Sequence, residues 1–476
     1  MVAEPGAQVV LASNRGPVSY ALGGDGALSA RRGGGGLVSG LSAIGPEAGA
    51  VWVCAALGDG DRAAARRYGT RLAAADTGGQ AVRMLDIDPE VFEAAYNGIA
   101  NSTLWFLHHM LYDIPREPVF DAAFRERWAA YGTYNAAFAD ALAQEAAPGA
   151  AVIVQDYHLA LVPGMLRERR PDLRIGHFSH TPWAPPEYFR LLPDDIAGQL
   201  LRGMLGADRL GFLTARWAQG FARCCQEVLG AMESKDHSTA LAVHPLGADG
   251  DFLRERARRP DVGERMAALR TEIGGAERKV IVRVDRTELS KNIVRGLHAY
   301  RRLLELRPEW RGRVVHLAFA YPSRQDLAVY RDYTAEVSRL AQEINSAYGT
   351  PDWQPVLLHL EDDFARSLAA YRIADVALVN PVRDGMNLVA KEVPVLSDEG
   401  CALVLSREAG AAAELSEDAL MVNPYDVEAT ARALHEALTM PPGERAERTK
   451  RLAAAATALP PQAWFTAQLE GLTGAQ

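Results

Sequence analysis

Residues capable of binding an anion and a sugar are concentrated in one short segment, Asn380 to Glu392. The apolar run Ala377 to Val379 before it predicts a buried strand, and a helix is predicted from Met386 onward. The turn between them would present backbone N–H groups at the edge where parallel sheets bind ligands. Because a helix N-terminus favours negative charge, this turn is suited to receive a diphosphate.

Two carboxylates in this segment suggest the rest of the ligand. Asp384 lies in the turn and Glu392 about two helical turns later, so both would approach the hydroxyls of a nucleotide-sugar, while the backbone of Leu388 and Val389 faces its phosphates. The alternative is an ordinary capped helix, which any α/β protein contains. The segment by itself fits both interpretations.

A pair of cations follows another predicted strand, Lys279 to Val284. Arg286 and Lys291 are five residues apart in a strand-to-helix loop and can converge on the oxygens of one diphosphate. In a transferase they would stabilise a departing nucleoside diphosphate electrostatically. As an alternative, they are two solvated surface charges.

Three further candidates follow apolar runs in the first half of the chain, namely Arg15, Asp156 and His180. Catalytic groups of open α/β sheets lie at such carboxyl ends of strands. A lone histidine is nevertheless structural more often than catalytic. Tyr96 and Trp105 are spaced to form two sides of a cleft, although core packing is the commoner role of aromatic residues.

Four consecutive glycines, residues 33 to 36, follow the basic pair Arg31 and Arg32. Glycine permits close approach of the backbone to an anion. The stretch completes neither the dinucleotide-binding pattern of glycines nor a P-loop. A flexible surface loop therefore remains an alternative to an anion-binding role.

These residues must be positioned by alternating strands and helices, and the alternation restarts after a Pro/Gly turn at 245–250. This pattern predicts an α/β protein with two doubly wound, Rossmann-like domains over residues 1–244 and 245–456. Facing strand ends of two such domains would make a cleft, where ligands commonly bind.

Composition limits the classes of protein to which these domains belong. The 476 residues are 48% hydrophobic with a formal net charge of −9, which argues against disorder and against nucleic-acid binding. The four cysteines show no metal-binding spacing, so packed thiols in a reducing cytoplasm are expected. No apolar run is long enough for a membrane span, and small-molecule partners are expected.

In sum, the chain resembles the trehalose-6-phosphate synthase family, glycosyltransferase family 20, whose members are retaining enzymes with the GT-B fold of two Rossmann-like domains facing each other across a cleft. The resemblance extends from about residue 8 to about residue 470. It rests on an ordered set of motifs: Ser13-Asn14-Arg15, Gly35-Gly36-Leu37, Tyr96-Asn97 with Trp105, Asp156 to Leu159, His180 to Glu187, Arg286 with Ser290-Lys291, Pro322-Ser323-Arg324 and Arg383 to Glu392.

The resemblance implies transfer of glucose from a nucleoside diphosphate to the anomeric hydroxyl of glucose 6-phosphate. The implied acceptor residues are Arg15, Tyr96, Trp105 and Arg324 at the phosphate and Asp156 at a hydroxyl. The implied donor residues at the diphosphate are Gly36, Arg286, Lys291, Leu388 and Val389, and those around the sugar are His180, Asp384 and Glu392. Met386 and Asn387, which belong to the same motif as Asp384 and Glu392, are also implied to bind the donor. Of these, Asp156, His180, Arg286, Lys291, Asp384 and Glu392 form the expected catalytic set.

The family retains anomeric configuration through front-face attack assisted by the leaving phosphate. The resemblance therefore implies no cofactor and no essential metal. A C-terminal helix over 457–476 is expected to pack back on the N-terminal domain, and a homo-oligomer is possible. No nucleic acid or membrane is expected as a partner.

Two departures from the family pattern leave alternatives open. The family's second Trp after the strand at Trp52 is replaced here by residues 53–56, Val-Cys-Ala-Ala. The family's loop Arg-Leu-Asp-Tyr-Ser-Lys-Gly here reads Arg-Thr-Glu-Leu-Ser-Lys-Asn over 286–292, which resembles pseudo-glycosyltransferases that join a nucleotide-cyclitol to an amino-cyclitol phosphate. A non-catalytic sugar-phosphate sensor is the third hypothesis, although the charged set is intact.

Three consecutive acidic residues, Glu361, Asp362 and Asp363, are the sequence feature that bears on the identity of the donor base. They follow the predicted strand Val356 to Leu360. Helix capping by Asp362 or Asp363 is their ordinary role. Alternatively, a carboxylate can accept two hydrogen bonds from guanine, whereas uracil offers one N–H between two carbonyls. We therefore predict that GDP-glucose is used at least as well as UDP-glucose and that Asp362 contributes to donor binding.

Overall fold

The computed structural model describes residues 6–32, 49–72, 74–77, 79–230, 233–234, 237–275 and 277–474. The chain divides into two compact units. Met1–Leu246 and Pro461–Gln476 form the N-terminal unit, and Gly247–Pro460 forms the C-terminal unit. These boundaries lie two and four residues beyond the predicted domain ends at 244 and 456.

The N-terminal unit contains a sheet in which eight of the described strands pair in the order β12-β9-β8-β7-β1-β4-β6-β5. All pairs are parallel except β5 with β6. The hairpins β2-β3 and β10-β11 lie outside this sheet. The strands are β1 Ala7–Ala12, β2 Val18–Leu22, β3 Leu28–Arg32, β4 Val51–Ala55, β5 Arg71–Leu72, β6 Ala81–Leu85, β7 Ala146–Gln155, β8 Arg174–Ser179, β9 Arg209–Phe212, β10 Glu233–Ser234, β11 His237–Ser238 and β12 Ala240–Val243.

Helices connect these strands, as a parallel sheet requires. One of them, Ala94–Leu104, is a π-helix, a form that often marks functional sites. The C-terminal helix Pro461–Thr473 packs on β7, β8 and β9. The helical segments are Asp59–Tyr68, Ala74–Thr77, Pro89–Glu93, Ala94–Leu104, Trp105–His109, Ala122–Glu145, Tyr157–Leu159, Val162–Arg169, Pro186–Phe189, Asp194–Met204, Ala215–Leu229 and Pro461–Thr473.

The C-terminal unit is organised around a fully parallel sheet in which six described strands pair in the order β15-β14-β13-β16-β17-β18. The strands are β13 Lys279–Arg286, β14 Val314–Tyr321, β15 Val356–His359, β16 Val376–Val379, β17 Ala402–Ser406 and β18 Leu420–Val422. Because the order reverses between β13 and β16, their carboxyl ends form the switch point where open sheets bind ligands.

Helical segments surround this sheet. The helix that begins at Ile293 has one apolar face that is completely buried, formed by Ile293, Leu297, Tyr300 and Leu304. The segments are Gly250–Ala257, Pro260–Ile273, Leu289–Lys291, Ile293–Leu306, Pro308–Trp310, Ala328–Tyr348, Phe364–Ile373, Val389–Leu396, Ala412–Leu415, Val427–Thr439 and Pro442–Thr457.

One predicted helix start is wrong. The helix expected from Met386 begins only at Val389, with Leu388 as its N-cap. Asn387 has a φ of 78°, which a helical residue cannot adopt. Its side-chain Oδ1 instead accepts a hydrogen bond from the N–H of Ala390 at 3.2 Å. Asn387 thus caps the helix that it does not enter.

The two sheets account for the apolar runs in the sequence. The central strands β4 and β16 are buried throughout, and the middle of β13 is buried as well, as parallel strands covered on both faces should be. The four cysteines are buried free thiols, as expected. Across the described ranges, no helix combines the length and apolar character needed to cross a bilayer.

Candidate active site

The candidate residues of the C-terminal unit lie at or after the carboxyl ends of β13, β14, β15 and β16. The Lys291 ammonium donates a hydrogen bond to Asp384 Oδ2 at 2.5 Å, and both side chains are 15% exposed. The predicted turn and the predicted cationic loop are therefore in direct contact. A ligand at this edge meets a cation and a carboxylate together.

The charge of Lys291 is maintained by its surroundings. Burial disfavours the ammonium, but Asp384, Asp285 and Glu288 outweigh it and raise the pKa of Lys291 above its ordinary value. Lys291 is therefore protonated at neutral pH. It can bind a phosphate oxygen as a cation and does not act as a base.

A buried arginine shapes the loop that carries Lys291. Arg283, inside β13, has a side chain that is 0% exposed and pairs with Asp285 at 2.9 Å. It also donates to the Lys291 carbonyl at 2.8 Å and to Asn380 Oδ1 at 2.5 Å. These hydrogen bonds connect the loop after β13 with the loop after β16 and fix the two loops relative to each other.

Arg286 and Arg324 share one carboxylate. Glu288, with a fully buried side chain, lies 3.1 Å from Arg286 Nη2 and 3.2 Å from Arg324 Nη1. The side chain of Arg286 is 54% exposed, whereas that of Arg324 is 10% exposed. Three predicted cations, Arg286, Lys291 and Arg324, thus belong to one edge of the sheet.

The start of the helix Val389–Leu396 provides the backbone part of the site. Leu388 supplies no side-chain cap, so the N-terminal N–H groups face outward without a polar side chain from the cap residue. Asn387 Nδ2 also donates to Asp384 Oδ2 at 3.1 Å. Asp384 therefore joins the helix start to Lys291, while Met386 is buried beneath the turn.

Glu392 lies in the first turn of this helix and is half-buried. Burial raises the pKa of Glu392 from 4.5 to about 7, although a hydrogen bond with Tyr371 opposes the shift. The carboxyl group is therefore partly protonated near neutral pH. In that state it both donates and accepts hydrogen bonds, which suits contact with a sugar hydroxyl.

The three acidic residues 361–363 differ in their contacts and therefore in their roles. Asp363 caps the helix Phe364–Ile373, since its Oδ1 accepts from the N–H of Arg366 at 2.9 Å, and its Oδ2 pairs with Arg265 at 2.8 Å. Asp362 and Glu361 are exposed. The capping role thus belongs to Asp363, and Asp362 remains accessible to a ligand.

In the N-terminal unit, Asp156 and His180 follow neighbouring strands, β7 and β8. Asp156 Oδ1 accepts a hydrogen bond from the N–H of His180 at 3.2 Å. His180 Nε2 lies 2.8 Å from Gln155 Oε1, a contact in which the imidazole donates. Nδ1 of the same ring then remains an acceptor.

The imidazole of His180 is uncharged. Burial, followed by the nearby ring of His177, lowers the pKa of His180 to about 3. A neutral ring with a hydrogen on Nε2 can accept a hydrogen bond from a hydroxyl but carries no charge at neutral pH. This property favours contact with a sugar over contact with a phosphate.

Arg15 follows β1 and is exposed. The turn that presents it is fixed from below: Trp52 Nε1 donates to Ser13 Oγ at 2.7 Å, and that hydroxyl donates to the Arg15 carbonyl at 2.6 Å. Asn14 Oδ1 accepts from the Tyr134 hydroxyl at 2.5 Å. The guanidinium is therefore available at a rigid position.

Tyr96 and Trp105 are both half-buried and lie at the two ends of one helical run. The ring of Tyr96 stacks on His158 at 5.6 Å between centroids. Trp105 stacks on His109 at 3.8 Å and approaches Tyr157 at 5.8 Å. Both rings therefore border the loop that follows Asp156, with part of each surface open to a ligand.

Backbone strain marks the same loops. Among the described non-glycine residues with positive φ, three are candidate site residues: Asp156, Arg324 and Asn387, with φ of 73°, 48° and 78°. A fourth, Asn292 with φ of 59°, directly follows the candidate Lys291. Such conformations cost about 1 to 3 kcal/mol each and cluster at functional sites. The strain agrees with the choice of these loops as ligand-binding segments.

Some site residues escaped the sequence prediction. Gln155, Arg283 and Glu288 were not among the candidates, although each touches one. Asn380 was also not among them, and it accepts a hydrogen bond from Arg283. An arginine inside the apolar strand β13 and an acid between Arg286 and Lys291 were the available signals. Gly36, a predicted diphosphate contact, lies outside the described residues.

A cavity of about 680 Å³ in the C-terminal unit is not part of this site. Its lining includes Lys279 and Asp375, which stand at the amino ends of β13 and β16, the opposite edge of the sheet. These two residues are already paired with each other at 2.8 Å. Within the described residues, no group of three or more His, Cys, Asp or Glu is arranged to hold a metal ion.

Two doubly wound α/β units with cations and a helix start at the carboxyl ends of a parallel sheet define the class of GT-B glycosyltransferases. Comparisons with known proteins agree. A sequence model of glycosyltransferase family 20 matches residues 7–473. The chain therefore belongs to glycosyltransferase family 20.

Individual relatives support the same assignment. The chain is 39% identical over 379 residues to the alpha,alpha-trehalose-phosphate synthase [UDP-forming] 2 of Aspergillus niger, covering 77% of each chain. A crystal structure of an alpha,alpha-trehalose-phosphate synthase (UDP-forming) from Burkholderia vietnamiensis matches with a TM-score of 0.84 and 29% identity, over 98% of this chain and 100% of the other. A trehalose-6-phosphate structure from E. coli with bound UDP-2-fluoro glucose matches with a TM-score of 0.85 and 28% identity over 98% of both chains.

Proposed function

We propose that this chain is an alpha,alpha-trehalose-6-phosphate synthase, which transfers glucose from a nucleoside diphosphate to glucose 6-phosphate with retention of configuration. The observation that carries the proposal is the set of three cations, Arg286, Lys291 and Arg324, held at the carboxyl edge of one sheet by buried carboxylates. Two phosphorylated substrates require such a concentration of positive charge.

The donor diphosphate is assigned to Arg286, Lys291 and the first N–H groups of the helix Val389–Leu396, with Gly36 as a further contact. Cations aimed at the departing diphosphate stabilise charge that develops as the bond to the sugar breaks. We expect no essential metal, because these residues supply the neutralising charge. Asp384 keeps Lys291 in place at 2.5 Å until a phosphate competes for it.

The donor sugar is assigned to His180, Asp384 and Glu392, with Met386 and Asn387 supporting the same turn. The neutral His180 ring and the partly protonated Glu392 suit hydroxyl groups. The acceptor is assigned to Arg15, Tyr96, Trp105 and Arg324 at its phosphate and to Asp156 at a hydroxyl. Asp156 is held for this role by its bond with the His180 backbone.

In the transfer step, the bond between the anomeric carbon and the β-phosphate oxygen of the donor breaks. The anomeric hydroxyl of glucose 6-phosphate forms the new bond on the same face, and its proton passes to the departing phosphate oxygen. The residues of this chain bind, orient and neutralise, and no carboxylate nucleophile is used.

The proposal also covers the identity of the nucleotide base in the donor. The A. niger and B. vietnamiensis relatives are named as UDP-forming, so UDP-glucose is expected to be accepted. The exposed Asp362 supports use of GDP-glucose at least as well, because guanine offers two adjacent donors to a carboxylate. Competition between the two donors tests this, and Asp362→Asn should narrow any preference for GDP-glucose.

The acceptor assignment is tested with Arg15→Ala and Arg324→Ala. Each should raise the KM for glucose 6-phosphate by about tenfold to a hundredfold, because a charge-assisted bond to phosphate is lost. Release of nucleoside diphosphate with and without glucose 6-phosphate is the assay. Unchanged acceptor kinetics in both variants would contradict the assignment, and activity only with a cyclitol phosphate would favour a pseudo-glycosyltransferase.

A further inference from the structure

Glu288 is a buried acid in the middle of the cationic loop. Its side chain is 0% exposed, although glutamate is almost never fully buried unless it is paired. Removing a carboxylate from water costs several kcal/mol and must be offset by close partners. The identity of those partners therefore indicates what the residue does.

Each oxygen of Glu288 has a different partner. Oε1 forms an ion pair with Arg286 Nη2 at 3.1 Å and accepts a hydrogen bond from the Ser323 hydroxyl at 3.2 Å. Oε2 lies 3.2 Å from Arg324 Nη1. One carboxylate therefore bridges the loop after β13 and the loop after β14.

The bridge is supported from both sides. The N–H of Thr287 donates to the Tyr321 carbonyl at 2.7 Å, which fixes the first loop against the end of β14. Arg324 Nη1 also donates to the Tyr330 hydroxyl at 3.2 Å, and its guanidinium lies 5.5 Å from the centre of that ring. Glu288 is thus held in place independently of Arg286, whose side chain is 54% exposed.

We propose that Glu288 is a positioning residue that orients Arg286 toward the donor diphosphate and Arg324 toward the acceptor phosphate at the same time. The inference rests on the proposed function, which assigns the two arginines to those phosphates. A shared carboxylate attracts one Nη atom of each guanidinium, at 3.1 Å for Arg286 and 3.2 Å for Arg324, and so fixes the direction in which each guanidinium lies. Without it, two like charges on neighbouring loops repel each other.

The first test is Glu288→Gln, which keeps the size of the side chain but removes its charge. Calorimetric titration with UDP and, separately, with glucose 6-phosphate should show both dissociation constants raised by about tenfold. Glu288→Asp, which retains the charge, should recover most of this loss for both ligands. Glu343→Gln is the matched control, because Glu343 forms an exposed helix pair with Arg339, and it should change neither constant.

The second test leaves Glu288 unchanged and does not depend on how Glu288→Gln folds. In Arg324→Ala, Glu288 loses one of its two arginine partners. Its attraction for Arg286 is then stronger, which draws that guanidinium away from the diphosphate. UDP should then bind at least about threefold more weakly even with no acceptor present, although Arg324 is assigned to the other substrate. A role confined to packing would leave UDP binding unchanged.

Outcomes for the two proposals are distinguishable. Equal UDP affinity in the unaltered chain, Glu288→Gln and Arg324→Ala would overturn the positioning role. Loss of affinity for only one of the two ligands in Glu288→Gln would also overturn it. If the unaltered chain binds UDP but neither binds nor uses glucose 6-phosphate, the proposed function fails instead.

Discussion

At the scale of single residues, the candidate site is a set of charges that neutralise one another before any ligand arrives. Lys291 pairs with Asp384, Arg283 with Asp285, and Glu288 with two arginines. When a phosphate replaces the carboxylate beside one of these cations, little reorganisation is needed, because the cation is already held in the orientation that binds an anion. This property supports the proposal that the diphosphate site needs no metal.

Lys291→Ala should lower kcat by about a hundredfold or more, because the ammonium matters most as the diphosphate departs. The measurement is steady-state release of nucleoside diphosphate in the presence of EDTA. Lys450→Ala, at an exposed helix position, is the matched control and should leave kcat unchanged. Dependence of the unaltered chain on added Mg²⁺ or Mn²⁺ would show that a metal neutralises the diphosphate.

The raised pKa of Glu392 predicts that the stability of the folded chain depends on pH. Between its ordinary pKa of 4.5 and about 7, the folded chain holds a proton on Glu392 that the unfolded chain has released. The free energy of unfolding attributable to this group therefore falls as pH rises through that window. Glu392→Gln removes the effect, so its stability relative to the unaltered chain should increase by about 1 kcal/mol or more from pH 5 to pH 8.

Thermal unfolding midpoints at the two pH values measure this difference. The same comparison with Glu343→Gln, whose carboxylate is 48% exposed, corrects for general effects of removing a charge. A pH-independent difference between Glu392→Gln and the unaltered chain would mean that Glu392 titrates in the folded chain as it does when unfolded.

At the scale of elements, the helix starts determine which polar groups remain for ligands. Asn387 caps the helix Val389–Leu396 from outside, and Asp363 caps the helix Phe364–Ile373. Each cap satisfies one N–H group and leaves neighbouring polar groups accessible, namely the carboxylate of Asp362 and the first N–H groups beside Leu388. Capping and ligand binding are therefore divided between adjacent residues.

The two adjacent aspartates give a matched pair of variants. Asp363→Ala should lower the free energy of unfolding by about 1 kcal/mol, because it removes the cap and the ion pair with Arg265. Asp362→Ala should change stability by less than about 0.5 kcal/mol, since Asp362 is exposed. Thermal unfolding of both variants is the measurement, and equal destabilisation would contradict the division of roles.

The elements also show what the sequence can and cannot predict. A strand such as β16 was predictable because a fully buried parallel strand is a continuous apolar run. The start of the helix at Val389 was not, because it depends on Asn387 adopting positive φ, which propensity does not encode. The pairing of Glu288 with both Arg286 and Arg324 needs the relative placement of two loops, which spacing along the chain does not give.

At the scale of the whole molecule, the chain consists of two doubly wound units of the kind found in GT-B glycosyltransferases. The last helix, Pro461–Thr473, belongs to the N-terminal unit and packs on its sheet. The two-unit architecture was predictable from the repeated alternation of strands and helices. The proposed substrates rest on the resemblance to a family and not on the fold, because many chemistries share such folds.

The most direct test of the central claim is to identify the product formed by the full chain. With UDP-glucose or GDP-glucose and ¹³C-labelled glucose 6-phosphate in EDTA, NMR should show a non-reducing α,α-linked disaccharide phosphate and equimolar nucleoside diphosphate. Nucleoside diphosphate released without a disaccharide, or a β-linked product, would contradict the proposal that this chain is a retaining trehalose-6-phosphate synthase.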